Sequence, residues 1–492
     1  MPGKFYITTT IPYVNAEPHI GFALEVVQAD MLARYRRNLG EEVYFSTGAD
    51  EHGQKIYEKA VEEGKDPQVY VDENAVKFDN LKNALNLSYD NFIRTTDKEH
   101  VRAAQKLWEL CDKNGDIEKK FYKIKYCVGC ELEKTDSELV DGICPLHPNR
   151  ELEDIEEENY FFKLSNYAKK LSDLYEKRPD FVVPANKLDE AKKLVIEGLR
   201  DFSISRLKEK LPWGVPVPGD DEHVMYVWFD ALVNYISTIG WPDDQRKFEK
   251  WWPALQLAGK DQVRQQAVMW QAMLLSAGIE PSRQIFVHGF INVGGQKISK
   301  SVGNVVDPFY YTGKYGADAV RYYLVSHIHP FEDSDFDEAK FREAYQADLA
   351  NGLGNFASRV STLAEEAGEL KNLKVDKQIE LEIKNARKSA EEAIAGFRLH
   401  EAVEAAWNLI HFGDGYIDEK KPWESKDKNV IFNLVVLLDN IASLVLPVVP
   451  DAAQKITSAI TWTDKDNIRV KKIQPIFPRL QEEDSGGKPR ID

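Results

Sequence analysis

The stretch Phe5-Tyr6-Ile7-Thr8-Thr9-Thr10 is rich in β-formers and runs into a Pro/Asn/Gly turn region, Pro12 to Gly21. Beyond it Leu24, Val27, Met31 and Tyr35 recur at helical spacing up to Gly40, which predicts a helix with a glycine stop. Val43 to Ser46 predicts a second short strand, and the polar segment Gly48 to Gly53 lies where that strand ends. Strand, loop, helix, strand is the opening of a doubly wound parallel sheet, and such sheets bind ligands at the carboxyl ends of their strands. The two loops are the first places to look for a site.

Outward from this unit the pattern breaks near Lys119. From there to about Pro212 come short strands, a cysteine cluster and charged runs, which read as an insertion. The α/β character returns with Met225 to Trp228, a helix from Ala231, a strand Leu255 to Ala258, a helix Gln265 to Ala277 and a strand Gln284 to Val287. From about Glu338, alternating charged and apolar residues fill Ala339–Glu369, Val375–Phe412 and Lys428–Leu446, predicting an all-α helix-bundle terminal domain. The expected organisation is 1–118, first half of the sheet domain; 119–212, insertion; 213–337, second half; 338–480, helical domain; and 481–492, a polar disordered tail.

Composition narrows the function classes. The chain has 492 residues, 43% hydrophobic and 29% charged, an ordinary globular balance. A net charge of −17 excludes indiscriminate coating of nucleic acid, while leaving room for a specific RNA held by local basic patches. Four cysteines argue against a disulfide scaffold and for a reducing compartment. The start, MPGKFYITTTIPY, has no apolar run of signal-peptide length. The most apolar stretch, Val430 to Val449, carries Asn433, Asp439, Asn440 and Pro447, so a buried helix is expected rather than a membrane span. These features point to a cytoplasmic protein with no membrane partner.

Three of the cysteines cluster. Cys127-Val-Gly-Cys130 and Cys144-Pro-Leu-His147 give C-x2-C-x13-C-x2-H, two turns that deliver tetrahedral zinc ligands in pairs. With four protein ligands the site is expected to be closed and structural. Cys111 lies outside it, on an apparent helix, as a core thiol.

Two further segments suit phosphates. Pro18-His19-Ile20-Gly21 opens the first long helix, where unpaired backbone N–H groups and the dipole favour anions. Gly294-Gly295-Gln296-Lys297-Ile298-Ser299-Lys300-Ser301 places two lysines three apart behind paired glycines. Each alone is weak, since a loop histidine or a solvated basic loop explains it equally well. Together, in this order around a split sheet, they are the paired signature of class I aminoacyl-tRNA synthetases. The chain resembles the methionyl-tRNA synthetase family over roughly residues 4 to 470. The matching stretches are Ile11-Pro12-Tyr13-Val14-Asn15, Asp50-Glu51-His52-Gly53, Tyr226-Val227-Trp228-Phe229-Asp230-Ala231, Gly259-Lys260-Asp261 and Val287-His288-Gly289-Phe290, and the cysteine knuckle looks like a bacterial form.

The resemblance implies a Rossmann-like class I catalytic domain carrying a zinc-bearing insertion, followed by an anticodon-binding helix bundle. It implies ATP-dependent activation of L-methionine and transfer of the methionyl group to tRNA(Met). His19, Gly21, Lys297 and Lys300 would be catalytic, and with Gly259, Asp261, His288 and Ser299 would hold ATP. Ile11, Tyr13, Asp50, Trp228, Ala231, Leu232, Tyr235, Gln262 and Gln266 would surround methionine, with Asp50 on its ammonium. Asn355, Arg359 and Trp423 would read anticodon bases, by amide or guanidinium hydrogen bonds and by stacking. One structural Zn²⁺ on Cys127, Cys130, Cys144 and His147 is expected, Mg²⁺ arrives with ATP, and a monomer is expected.

Two segments depart from the family pattern. Phe22 stands where a histidine often closes the first signature, and Gln262, Gln265 and Gln266 replace Ile, Phe and His of many relatives, predicting a more polar pocket. Competing readings are another class I synthetase, for which the chain is too short to hold a large editing insertion, and a nucleotidyltransferase, which would not need Asn355 and Trp423. A third is a weakened tRNA-binding paralogue, against which Lys297 and Lys300 argue.

Overall fold

The computed structural model describes residues 3–130, 132–134, 138–298, 303–371, 373–464 and 467–480. The chain divides into two compact units. The first takes the residues up to Ala29, Gly40–Lys82 and Ser88–His288; the second takes Asp30–Leu39, Asn83–Leu87 and the chain from Gly289.

The first unit is built on strands β1 (Lys4–Thr8), β2 (Glu42–Ala49), β3 (Asn91–Arg94), β4 (Val182–Val183), β5 (Leu255–Gly259) and β6 (Gln284–His288). All pair parallel in the order β3-β2-β1-β5-β6-β4. The chain winds outward one way from β1 to β2 and β3, then resumes on its other side with β5 and β6. The order therefore reverses between β1 and β5, and the loops that leave their carboxyl ends, from Thr9 and from Lys260, open the crevice where such sheets bind ligands. Phe5, Tyr6 and Ile7 are buried without alternation, as a strand covered on both faces requires.

Within the insertion, Leu132–Lys134, Ile117–Cys127, Glu153–Phe162 and Phe202–Ser203 form an antiparallel sheet in that order. Val182–Val183, which falls inside the stretch expected to be insertion, instead forms the edge of the central sheet against β6. The run Met225 to Trp228 is divided: Asp220–Met225 is a strand paired with Ser205–Leu207, and Val227–Ala231 is a short helix.

The second unit is mainly helical. Lys428–Val445 is the one helix among the described residues long and apolar enough to cross a membrane by composition, and two thirds of it is buried. It packs against Asn355–Ala367 and Leu399–Lys420. Its buried Asn433 is satisfied, donating to the Asn429 carbonyl at 2.9 Å and accepting from the Asp376 N–H at 2.9 Å. Asp427 caps its start, accepting from the Asn429 N–H at 2.8 Å. Near the C-terminal end the bundle closes with a hairpin, Ile460–Asp464 paired to Asn467–Val470, where only helices were expected.

Candidate active site

Helix α1 (Ile20–Asn38) begins at the crevice. The Gly21 N–H donates to His19 Nδ1 at 3.1 Å, so the histidine ring caps the helix and its remaining proton sits on Nε2. A Cβ at Gly21 would lie 2.9 Å from His19 Cε1; glycine is needed for this ring to fold back over the helix start. Phe22 stands edge-on to Phe78 at 5.7 Å and packs with Val14, Ala49 and Ile56, so this side chain serves the core rather than an anion. Glu25, one turn further on, is buried and accepts from the Thr10 N–H at 2.5 Å and hydroxyl at 2.7 Å, while its other oxygen meets His288 Nε2 at 2.8 Å. It joins the ends of β1 and β6 to α1, and the sequence reading gave it no role.

The residues expected around methionine divide into three groups. Tyr13 and Asp50 are brought side by side by an isolated parallel bridge, with Asp50 3% exposed and Ile11 half-buried just before. Tyr13 and Trp228 pack on the same apolar cluster of Tyr126, Val128, Tyr226 and Val227. Ala231, Leu232 and Tyr235 are buried on the two short helices Val227–Ala231 and Asn234–Ser237 and the turn joining them. The glutamines follow β5. Gln262 ends a 3-10 turn, and Gln265 and Gln266 sit in a π-helical segment, Arg264–Met269, whose wider turn alters which side chains face one another. Gln266 Nε2 donates to the Tyr235 hydroxyl at 2.7 Å and Gln262 Oε1 at 3.4 Å. Gln265 Oε1, Gln266 Oε1 and Trp228 Nε1 are buried with no hydrogen-bond partner among the described residues. Gly259 ends β5, and Asp261 is exposed just beyond it.

The lysine loop belongs to the second unit. Ile291–Val293 and Gln296–Lys297 form a tight antiparallel hairpin, turned by Gly294 and Gly295 at φ 60° and 72°. The Gly295 N–H is held by Asp335 Oδ1 at 2.9 Å. Lys297 is exposed, its Nζ 4.6 Å above the Phe290 ring. Ser299 and Lys300 lie outside the described residues.

Cys127, Cys130, Cys144 and His147 converge, with their ligand atoms all within 4.8 Å of one another. Cys130 Sγ lies 3.5 Å from Cys144 Sγ and 3.3 Å from His147 Nδ1. Thiolates about 2.3 Å from a tetrahedral zinc stand roughly 3.8 Å apart, so this donor set fits that ion with little movement. A Cβ on Gly129 would lie 2.4 Å from His147 Cγ, which explains the glycine between the paired cysteines. Cys111 is a core thiol, pushed up to about 12 by burial.

In the second unit, Asn355 and Arg359 lie four apart on the helix Asn355–Ala367. Arg359 is gripped by Asp414 and Asp418, each at 3.1 Å, two partners the sequence reading did not include. Trp423 is 42% exposed on the one-turn helix Pro422–Ser425, a large ring held out from the bundle between two left-handed lysines, Lys421 and Lys426.

A parallel sheet with a histidine-capped helix at its switch point, a buried wall beside it, a Cys3His insertion and a helical domain is the architecture of a class I aminoacyl-tRNA synthetase. The family model for class I tRNA synthetases (M) matches residues 5–155 and 149–361. The chain is 41% identical to methionine–tRNA ligase of Mesorhizobium japonicum over 96% of its own length and 95% of that protein's. It is 40% identical to the ligase of Thermotoga maritima, over 94% and 76%. The solved Mycobacterium tuberculosis methionyl-tRNA synthetase in complex with methionyl-adenylate has a TM-score of 0.91 at 35% identity, covering 97% of this chain and 100% of that one. The chain belongs to the methionyl-tRNA synthetase family.

Proposed function

We infer that this chain is a methionine–tRNA ligase, joining L-methionine to AMP at the expense of ATP and passing the methionyl group to the 3′ end of tRNA(Met). The observation that carries the inference is identity of about 40% to such ligases along nearly the whole chain. The methionine carboxylate is already ionised at neutral pH, so activation needs no strong base. What this chain must supply is position and compensation for charge growing on the α-phosphate and pyrophosphate.

Asp50 pairs with the substrate ammonium, and Ile11, Tyr13, Trp228, Ala231, Leu232 and Tyr235 enclose the thioether, with Gln262 and Gln266 at its polar edge. His19 donates from Nε2 to a phosphate oxygen at the start of α1, helped by the close approach at Gly21. Gly259, Asp261 and His288 hold the adenosine side, while Lys297 and Lys300, with Ser299 between them, clamp the leaving pyrophosphate. Mg²⁺, when bound with ATP, neutralises part of the polyphosphate charge. Zn²⁺ on the Cys3His cluster ties the knuckle together. Asn355, Arg359 and Trp423 read anticodon bases. A cytoplasmic monomer completes the reading.

ATP–pyrophosphate exchange, offered each amino acid in turn, tests the inference. Methionine should be the one that supports exchange, and absence of methionine-dependent exchange would overturn it. Metal analysis of the purified chain should return one zinc, lost together with part of the thermal stability when Cys127 and Cys130 are both replaced by serine.

A further inference from the structure

Asp230 is a fully enclosed carboxylate of the first unit, at 0% exposure, and the activation chemistry does not use it. His52 Nδ1 meets one of its oxygens at 2.7 Å and His100 Nε2 the other at 2.9 Å. His100 Nδ1 continues to the Ser237 hydroxyl at 3.0 Å. Burial alone would raise the carboxyl, but the two imidazoles outweigh it and hold it at about 2, so it is an anion accepting from both rings.

The three members come from different elements. His52 follows Asp50 in the loop after β2, and its own N–H points back to Asp50 Oδ1 at 3.4 Å. Asp230 lies on the short helix Val227–Ala231, between Trp228 and Ala231. His100 sits on Lys98–Lys113, behind both. The carboxylate expected to take the substrate ammonium and the helix expected to enclose its side chain are therefore joined through one buried anion with two donors. A carboxylate stripped of water is expensive unless its hydrogen bonds are made, which makes this junction stiff.

We propose that Asp230, clamped between His52 and His100, is a positioning residue for methionine: it holds the Asp50 loop and the Trp228–Ala231 helix at the spacing the amino acid requires. This rests on the ligase reading above. A residue acting this way alters recognition of the amino acid and leaves phosphate chemistry nearly untouched. A residue that only stabilises the fold would lower the melting temperature without changing either constant in the folded fraction.

The full chain is assayed by ATP–pyrophosphate exchange at saturating ATP and varied methionine, with melting temperature measured in parallel. Asp230→Asn offers one acceptor where two are needed, and His52→Ala removes one donor while leaving the anion with His100. Loss of one hydrogen bond to a buried charge is worth about 10- to 100-fold, so both should raise KM for methionine by about tenfold or more, with KM for ATP within about twofold. His52→Asn places an amide N–H where Nδ1 stood and should return KM to within about threefold of the unmodified chain. Asp116→Asn, at a carboxylate also buried but bonded to Tyr167 and Ser276, should change melting and not KM. Should Asp230→Asn fail to fold, the contrast between His52→Ala and His52→Asn decides alone. An unchanged methionine KM in a folded Asp230→Asn or His52→Ala, or no rescue by His52→Asn, overturns the positioning role while the ligase reading stands. No methionine-dependent exchange by the unmodified chain overturns both.

Discussion

The wall expected to hold methionine and the hairpin expected to hold phosphate are built on opposite principles. Asp50, Ala231, Leu232 and Tyr235 are all buried, at 3%, 5%, 2% and 1% exposure, and the loop and helices that carry them are joined by hydrogen bonds before any ligand arrives. Lys297 stands exposed on a two-residue strand behind two left-handed glycines. A small zwitterion with an apolar tail is recognised by shape and one charge, which needs a cavity prepared at folding. A polyphosphate is recognised by charge at reach, and its negative charge grows as the bond to the α-phosphate breaks. On the proposed reading, the wall would contribute binding already present in the ground state, and the lysine stabilisation that increases toward the transition state.

This contrast is broken or sharpened by separating kcat from KM. Lys297→Ala should lower kcat for exchange by about 100- to 1000-fold, as loss of a donor to developing charge does, with methionine KM within about twofold. Asp50→Asn should act the other way, raising methionine KM about 10- to 100-fold, the worth of a charge-assisted hydrogen bond, with a smaller change in kcat. If both variants shift the same constant, the two regions do not divide the work. A finer cut lies within the wall. Gln266→Leu removes a buried unpaired oxygen but also the amide that meets Tyr235, and these opposing losses should leave methionine KM within about threefold.

The sequence displays the parts of this molecule that are local. β1, the turn and α1 follow within forty residues because periodicity and glycine stops act over short spans. The cysteine spacing works for the same reason, since each pair sits on one turn. What the chain hides is assembled at a distance. Asp230 meets its histidines across separations of 178 and 130 residues, and each looks alone like an ordinary member of its motif. Glu25 has the spacing of any polar residue on an amphipathic helix, and only burial shows that it ties three elements together. Val182–Val183 is two residues long, too short for any period, so its place on the sheet is decided by β6. Arg359 finds Asp414 and Asp418 on another helix, and no local pattern pairs them.

The smallest expected effect tests whether burial or partnership decides how a hidden carboxylate behaves. Asp230 and Asp318 are both buried, but Asp230 faces two imidazoles and is held at about 2, whereas Asp318 faces the N–H groups of Asp451 and Ala452, at 3.3 and 2.7 Å, where the helix Pro450–Ala459 begins. Burial outweighs those amides and pushes Asp318 up to about 6. The signs are opposite. Asp230 contributes stability above about pH 4 that is lost as pH falls toward 2. The folded chain keeps a proton on Asp318 between about pH 4 and 6 after the unfolded chain has released it, so stability falls as pH rises through that window and is level above it. Asn at this position cannot titrate. The melting temperature of the unmodified chain should therefore drop by about 2–5 °C relative to Asp318→Asn between pH 4 and 6.5, with the difference constant beyond. Parallel profiles would mean that two backbone amides at a helix start carry a buried charge as well as two side chains do, and that what separates Asp318 from Asp230 is not the kind of partner each one meets.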